Sequence, residues 1–165
     1  MFSIEPLGSQ IRAEFSCCVL ELDRYFREIV SQDIKRRVSN CFVAIDDART
    51  VAGYYTLAAT SLPMTELTPD ETKRLPRYPL LPAGLIGRLA IDRRFRGQGL
   101  GSSLIVDAIA RSMRSEPAIF ALVVDAKDEA AMRFYQDLGF RAFVSQPMRL
   151  FIPIAEAARR LSSRA

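Results

Sequence analysis

The chain has 165 residues, of which 49% are hydrophobic and 25% are charged, and this balance is typical of one globular domain with its own core. These values exclude a disordered chain and a collagen-like repeat, and three cysteines are too few for a disulfide scaffold. The formal charge of +4 bears on function mainly if the positive residues cluster.

The sequence indicates neither a membrane protein nor a secreted one. Its longest apolar run, residues 118–124, is far shorter than the roughly 20 residues of a membrane-spanning helix. The N-terminus lacks the basic start and apolar core of a secretory signal, so we expect a cytoplasmic protein with three free thiols. The chain has no histidine, which excludes a Cys/His pair, and we expect no metal cofactor.

The first half of the chain predicts a helix, a hairpin and a loop. Residues 12–38 carry apolar side chains at spacings of three and four, which favours one helix. Two β-rich runs at 41–45 and 51–58 are joined by four polar residues, a pattern typical of a hairpin. Residues 63–82 are rich in proline and charge, and they predict an ordered loop with a short helix at 70–74.

The second half predicts a strand–helix–strand unit followed by closing elements. Residues 84–91, 101–113 and 118–124 are the strand, helix and strand of that unit. A helix at 128–138 ends at Gly139, strands follow at 140–144 and 148–154, and 155–165 is a helical tail. We therefore predict an α/β fold of the mixed α+β type, with a central mixed sheet flanked by helices, in one domain over residues 1–165.

A glycine-rich turn joins the strand at 84–91 to the following helix. Glycine permits positive φ and a close approach of the backbone to a ligand, and the first amides of a helix form an anion site. Arginine side chains beside those amides favour a polyphosphate over a single carboxylate. The residues concerned are Arg93, Arg94, Arg96, Gly97, Gly99 and Gly101.

Two known phosphate-binding patterns fit this turn poorly. A Walker loop ends in Gly-Lys-Ser/Thr, and the turn has no lysine, which excludes a nucleotide triphosphatase of that type. A dinucleotide fingerprint could use Gly97, Gly99 and Ser102 with Asp125 on the ribose, but five residues separate Ile91 from the first glycine. A purely structural turn is the other alternative.

A third pattern is a family resemblance. Arg96-Gly-Gln-Gly-Leu-Gly101 matches the Gln/Arg-x-x-Gly-x-Gly/Ala motif of the GNAT N-acetyltransferases. Downstream, Ala-Met-Arg-Phe134-Tyr135 with Gly139-Phe140 resembles the second signature of that family. The resemblance implies a GNAT fold that binds acetyl-CoA between two splayed parallel strands, here 84–91 and 118–125.

The resemblance also implies a set of acetyl-CoA contacts. The pyrophosphate would lie on the amides of 98–102 and the pantetheine arm against 89–91. Asp128 stands where many members have asparagine, so an acceptor is kept but a donor is lost. Phe134 has packing in the core as its alternative role. The implied contacts are Leu89, Ala90, Ile91, Arg96, Gly97, Gln98, Gly99, Leu100, Gly101, Ser102, Asp128 and Phe134.

Tyr135 matches the family position that serves as general acid, and its alternative role is packing in the core. A phenol with a pKa near 10 can protonate a departing thiolate. A backbone N–H near Ile91 is a candidate for the oxyanion site. Without histidine the base is unassigned, and Glu66 or Asp70 acting through water are alternatives. This favours an α-amine acceptor, whose pKa of about 8 leaves more of it neutral than a lysine side chain.

Several stretches of the N-terminal half, among them Leu22-Asp-Arg-Tyr-Phe26, are similar to the GNAT toxins of bacterial toxin–antitoxin pairs, and so is Gly87-Arg-Leu-Ala-Ile-Asp92 in the middle of the chain. That similarity implies acetylation of the α-amino group on aminoacyl-tRNA, a ribbon-helix-helix antitoxin and a homodimer. Positive patches suit a nucleic-acid backbone. The tRNA-binding candidates are Lys35, Arg36, Arg37, Arg88, Arg93 and Arg94, with Arg74 and Arg77 as weaker ones.

Three alternatives stay open at this point. Lys35, Arg36 and Arg37 could instead be a solvated helix end that the helix dipole favours. A GNAT enzyme acting on a small amine or a protein N-terminus would explain the glycine-rich motif without the basic runs. A non-catalytic CoA-binding regulatory module would explain it with Tyr135 as a packing residue.

Overall fold

The computed structural model describes residues 1–164. The strands are β1 Ser3–Pro6, β2 Asn40–Ile45, β3 Val51–Pro63, β4 Leu80–Ile91, β5 Ala121–Asp125, β6 Arg141–Ala142 and β7 Arg149–Pro153. The α-helices are α1 Leu20–Arg24, α2 Val30–Lys35, α3 Pro69–Thr72, α4 Leu100–Met113, α5 Glu129–Asp137 and α6 Ile154–Arg164. A π-helical turn at Tyr25–Ile29 joins α1 to α2, and 3-10 turns lie at Met64–Glu66 and Arg93–Phe95. Within residues 1–164, every helix falls short of the length and apolarity that crossing a bilayer requires.

The strands form a seven-stranded sheet in the order β1-β2-β3-β4-β5-β7-β6. The pairs β1–β2, β2–β3, β5–β7 and β6–β7 are antiparallel. The predicted hairpin is confirmed, because β2 and β3 pair directly with Val43 opposite Tyr54. Its turn is closed by the Asp46 carboxylate, which accepts hydrogen bonds from the amides of Ala48 (3.0 Å) and Thr50 (2.8 Å).

The chain folds into two compact units, Met1–Ala58 with Ile86–Ala108, and Ala59–Leu85 with Ile109–Ala165. The core of the first unit centres on three aromatic rings. Phe26 stacks on Tyr54 with the ring centroids 4.3 Å apart, and Phe15 packs edge-on against Phe26 at 4.8 Å. Such pairs add to the stabilisation from apolar burial. That the whole chain is one domain stays a prediction.

The second unit has its own apolar core, to which Leu62, Leu67, Phe143 and Phe151 belong. The loop between β3 and β4 contributes to this core through the buried side chain of Leu67. Within that loop, Thr68 and Glu71 form a capping box that begins α3, so the short helix predicted at 70–74 is found at Pro69–Thr72.

The predicted helix at 12–38 is wrong before Leu20, where α1 begins. Phe15 and Cys17 are buried without helical geometry, and Cys18 has a φ of 67°. The π-helical turn at Tyr25–Ile29 also shifts the register of the apolar face. The side chain of Leu20, which lies within the predicted helix, is 79% exposed.

Other boundaries also differ from the expected ones. β1 was not predicted. β3 and β4 each extend beyond the predicted 51–58 and 84–91, to Pro63 and back to Leu80, and just beyond these ends the amide of Met64 bonds to the carbonyl of Pro79 at 3.0 Å. β5 begins at Ala121 rather than at 118, and β6 is only two residues long. α6 confirms the helical tail as far as Arg164, and Ala165 lies outside the described residues.

Alkaline pH is expected to destabilise the first unit. Burial raises the pKa of Cys17 to about 11 and of Cys41 to about 12, and it raises the pKa of Tyr25 and Tyr54 further above the ordinary value. Above the ordinary values the unfolded chain releases protons that the folded chain retains, so each group costs about 1.4 kcal/mol per pH unit. Denaturant unfolding should give a free energy of unfolding that is level near pH 7–8 and falls steadily from pH 9 to 11. A level curve up to pH 10.5 would contradict the pKa directions.

Candidate active site

The glycine-rich turn lies between β4 and α4, as predicted. Gly97 has a φ of 77° and Gly99 a φ of 75°, which only glycine adopts without strain. A Cβ built on either residue would meet no atom within 4 Å, so the surface above the turn is open. We call Arg96–Ser102 the phosphate turn. Gly97 and Gly99 allow the backbone to adopt this turn, and the absence of side chains leaves room above it for a ligand.

The helix that follows supplies hydrogen-bond donors. α4 has 14 residues and begins at Leu100, which is buried and anchors the first turn. The amides of Leu100, Gly101 and Ser102 have no acceptor inside the helix because they belong to its first turn. Together with the helix dipole they favour a negative ligand. The chain therefore fits the pyrophosphate that the family resemblance implies.

Replacement of Gly99 with alanine is expected to weaken acetyl-CoA binding. Alanine at positive φ costs about 1–2 kcal/mol, and relief of that strain would turn the first amides of α4 away from their present directions. Titration calorimetry should show the Kd for acetyl-CoA rising by about 10-fold. Gly8→Ala is the matched control, since Gly8 is exposed and has ordinary van der Waals space for a Cβ. Equal affinities for both variants would be the contrary result.

The phosphate turn is held by an N-terminal segment that the sequence did not reveal. The amide of Arg93 bonds to the carbonyl of Ser16 at 2.9 Å, and a guanidinium N–H of Arg96 donates to the carbonyl of Cys17 at 2.6 Å. The amide of Cys17 in turn donates to the buried Asp23 carboxylate at 2.8 Å. The Arg96 side chain thus fastens the turn to the segment.

Asp92 is the centre of this arrangement and is fully buried. Its carboxylate accepts from the amides of Ser16 (3.1 Å) and Arg94 (2.9 Å) and from the Arg94 guanidinium (2.9 and 3.0 Å). Burial alone would raise the pKa of Asp92, but these donors together hold it below its usual range. Asp92 is therefore a carboxylate that orders the entry to the phosphate turn.

Most members of the arginine cluster, which comprises Arg88, Arg93, Arg94 and Arg96, make contacts within the protein. Arg94 pairs with Asp92, and Arg96 bonds to Cys17. Arg88 stacks its guanidinium 3.5 Å above the ring of Tyr25, whose hydroxyl donates to Asp33 at 2.7 Å. Within residues 1–164, Arg93 is the exposed member of the cluster for which no side-chain partner is found.

Lys35, Arg36 and Arg37 are exposed where α2 ends. Arg36 is the C-cap, and Arg37 has a φ of 61°, the left-handed conformation that commonly ends a helix. The amide of Arg37 bonds to the carbonyl of Ile34 at 3.0 Å. The run is thus the solvated end of a helix, and its role in tRNA binding stays a prediction.

The expected pantetheine strand is the end of β4. Ala90 is buried there, while Leu89 and Ile91 are partly exposed. Gly53 of β3 lies so close that an added Cβ would be 3.0 Å from the carbonyl oxygen of Ala90 and 2.9 Å from the side chain of Ile91. Glycine at position 53 therefore permits close packing against this segment.

Tyr135 lies on α5 in the second unit and is buried. Its ring packs edge-on against Phe134 at 5.1 Å and Phe140 at 5.5 Å. Burial, with a smaller effect from the negative charge of Asp125, raises its pKa to about 12. No hydrogen-bond partner for its hydroxyl is found among residues 1–164. The group is a protonated phenol whose hydroxyl has no protein partner in the described part of the chain.

The other predicted residues of the second unit have structural contacts. Asp128 is the N-cap of α5 and accepts a hydrogen bond from the amide of Ala131 at 2.8 Å. Glu66 accepts from the amide of Val144 at 2.6 Å and from the hydroxyl of Ser145 at 2.5 Å. These bonds commit Glu66 to the loop, and Asp70 is an exposed residue 3.7 Å from Lys73. These contacts identify neither Glu66 nor Asp70 as the general base.

Comparison with known proteins decides the family. Residues 79–149 match the family model described as FR47-like protein. The tRNA-acetylating toxin of Mycobacterium tuberculosis is 34% identical over 145 residues, which cover 87% of this chain and 86% of the relative. The chain belongs to the GNAT acetyltransferase toxins. The predicted GNAT fold and acetyltransferase class are thereby confirmed.

Solved structures of GNAT toxins cover nearly the whole chain. AtaT complexed with acetyl-methionyl-tRNAfMet is 27% identical with a TM-score of 0.87, over 98% of this chain and 99% of that one. AtaTR bound with AcCoA is 26% identical with a TM-score of 0.79, over 97% and 98% of the two chains. A mutant AtaT bound to the C-terminus of the antitoxin AtaR is 25% identical with a TM-score of 0.82, over 98% of each chain.

Proposed function

We propose that this GNAT toxin transfers the acetyl group of acetyl-CoA to the α-amino group of an amino acid carried on tRNA and thereby blocks translation. The observation that carries the proposal is the phosphate turn, whose positive-φ glycines leave an open surface beside the unpaired amides of α4. Its relationship to a tRNA-acetylating toxin supports the tRNA substrate.

The chemistry needs a neutral amine and a proton for the sulfur that leaves. Acetyl-CoA, when bound, supplies an activated thioester. The amine nitrogen forms a bond to the acetyl carbon, the carbon–sulfur bond breaks, and the proton lost by the amine passes to solvent. Tyr135 is the proposed general acid: its hydroxyl, which is protonated at neutral pH, gives its proton to the sulfur as the carbon–sulfur bond breaks and regains a proton from solvent. The amides of the phosphate turn hold the pyrophosphate, and Leu89, Ala90 and Ile91 offer backbone to the pantetheine arm.

The proposal extends to location and partners. Charged tRNA is cytoplasmic, so we place the protein there. The AtaT structure with the C-terminus of antitoxin AtaR supports an antitoxin partner, which we take to be a ribbon-helix-helix protein, and we expect a homodimer. No group of three or more Cys, Asp or Glu side chains that could hold a metal ion is found in the described part of the chain.

Transfer of labelled acetyl from acetyl-CoA to total tRNA tests the function. Label should appear on charged tRNA, stay absent from deacylated tRNA, and be released by mild alkali together with the aminoacyl ester. If charged tRNA stays unlabelled while the protein binds acetyl-CoA, the GNAT enzyme acts instead on a small amine or a protein N-terminus.

A further inference from the structure

A groove of about 700 Å³ lies along the loop between β3 and β4 in the second unit. Its lining includes Met64, Lys73, Leu75, Arg77, Tyr78 and Pro79, and we call it the Tyr78 groove. The volume lies within the roughly 300–1,000 Å³ of pockets that hold small ligands. The groove combines an aromatic ring, aliphatic side chains and two cations.

The Tyr78 groove is built from a restrained segment. The amide of Tyr78 bonds to the carbonyl of Pro76 at 2.9 Å, and prolines at positions 76 and 79 restrict the backbone on both sides. The loop is also fastened from outside the groove, since Arg141 donates to Glu71 at 2.7 Å. The Tyr78 side chain is nonetheless 62% exposed. The fold therefore displays a large ring to solvent from a backbone that is already ordered.

The charge of the loop is positive where a ligand would lie. Among residues 1–164, no ion pair is found for Arg74 or Arg77. Lys73 is 3.7 Å from Asp70, but both side chains are largely exposed, and such pairs contribute little. The carboxylate of Glu71 is already paired with Arg141. The cations of the groove are thus available to an anionic ligand.

An exposed ring beside exposed cations is a combination that suits single-stranded nucleic acid. Unstacked bases bind on aromatic side chains, and lysine or arginine neutralises the phosphates between them. A paired acceptor stem offers no free base face, whereas the 3′ end of a tRNA is single-stranded. We propose that the Tyr78 groove binds the single-stranded 3′ end of the tRNA substrate, with one base stacked on Tyr78 and its phosphates on Lys73 and Arg77. This inference rests on the proposed function.

Binding measured separately from acetyl transfer tests this inference. Filter binding would use charged tRNA and the same tRNA without its single-stranded 3′ nucleotides. Tyr78→Ala should raise the Kd for intact tRNA by about 10-fold, the scale of one lost stacking contact, while Tyr78→Phe keeps the ring and the affinity. Arg77→Glu should weaken binding and lower the salt dependence, and Arg114→Glu is the matched control at another exposed arginine.

The outcomes separate this inference from the proposed function. The groove is supported if Tyr78→Ala weakens binding of intact tRNA only and leaves the Kd for acetyl-CoA and the melting temperature unchanged. It is overturned if Tyr78→Ala and Arg77→Glu bind intact tRNA as Arg114→Glu does, or if they lose affinity for the antitoxin alone. The wild-type transfer assay decides the proposed function by itself, because it depends on neither variant.

Discussion

Tyr135→Phe is expected to lower kcat for acetyl transfer by at least about 100-fold and to leave the fold intact. A positioned general acid contributes roughly 10²–10⁴-fold, and phenylalanine removes the proton while keeping the ring that packs on Phe134 and Phe140. The hydroxyl has no hydrogen-bond partner within residues 1–164, so its removal should cost little stability. Steady-state rates with charged tRNA, together with the melting temperature, measure both effects.

Tyr54→Phe is the informative control for that variant. Tyr54 is also buried, but its hydroxyl donates to the carbonyl of Leu22 at 2.8 Å. Its loss should cost about 1 kcal/mol of stability without a specific loss of transfer. The wild-type kcat should also not fall between pH 8 and 10 on account of Tyr135, because burial raises the pKa of that residue to about 12. Normal transfer by Tyr135→Phe would remove Tyr135 from the mechanism and leave it as a packing residue.

Asp92→Ala is expected to cost about 3 kcal/mol of stability, which corresponds to a melting temperature lower by roughly 10 °C. The substitution leaves the amides of Ser16 and Arg94 without their buried acceptor and the Arg94 guanidinium without its closest carboxylate. Asp47→Ala is the control for loss of an exposed carboxylate. Asp47 pairs with the N-terminus at 3.2 Å, and its side chain is 86% exposed, so less than about 0.5 kcal/mol is expected.

The same variant tests what Asp92 does for binding. At a temperature where Asp92→Ala is still folded, its Kd for acetyl-CoA should rise, because the segment that holds the phosphate turn is released on one side. If Asp92→Ala had the stability of the wild type and the same affinity for acetyl-CoA, the contacts of Asp92 would be dispensable for both folding and binding.

Local patterns were sufficient where the chemistry depends on neighbouring residues. The phosphate turn, the hairpin at β2–β3 and the helix that carries Tyr135 were all predicted, because glycine spacing, alternation and capping act over a few residues. The irregular stretch before Leu20 was missed because the bonds that hold it run to Asp92 and Arg93, more than 70 residues along the chain.

The arginine cluster shows a second limit of prediction from the sequence. The sequence makes Arg88, Arg93 and Arg94 candidates for RNA and Arg96 a candidate for acetyl-CoA. In the structure, however, the distant residues Tyr25 and Cys17 engage Arg88 and Arg96, and the buried Asp92 engages Arg94. Residue type sets charge, whereas only the tertiary structure shows whether that charge is already neutralised. The exposure of the Tyr78 ring could likewise not be predicted from the sequence, since no local pattern distinguishes this residue from a buried tyrosine.

The N-terminal segment also determines how this protein can be labelled. Cys17 and Cys41 are buried, and burial raises the pKa of both thiols, so neither provides the thiolate that reacts with maleimides. Cys18 is exposed, and it follows directly the residue whose carbonyl Arg96 binds. A fluorophore attached to wild-type protein would therefore report from one position, beside the phosphate turn, and could follow acetyl-CoA binding without the introduction or removal of any cysteine.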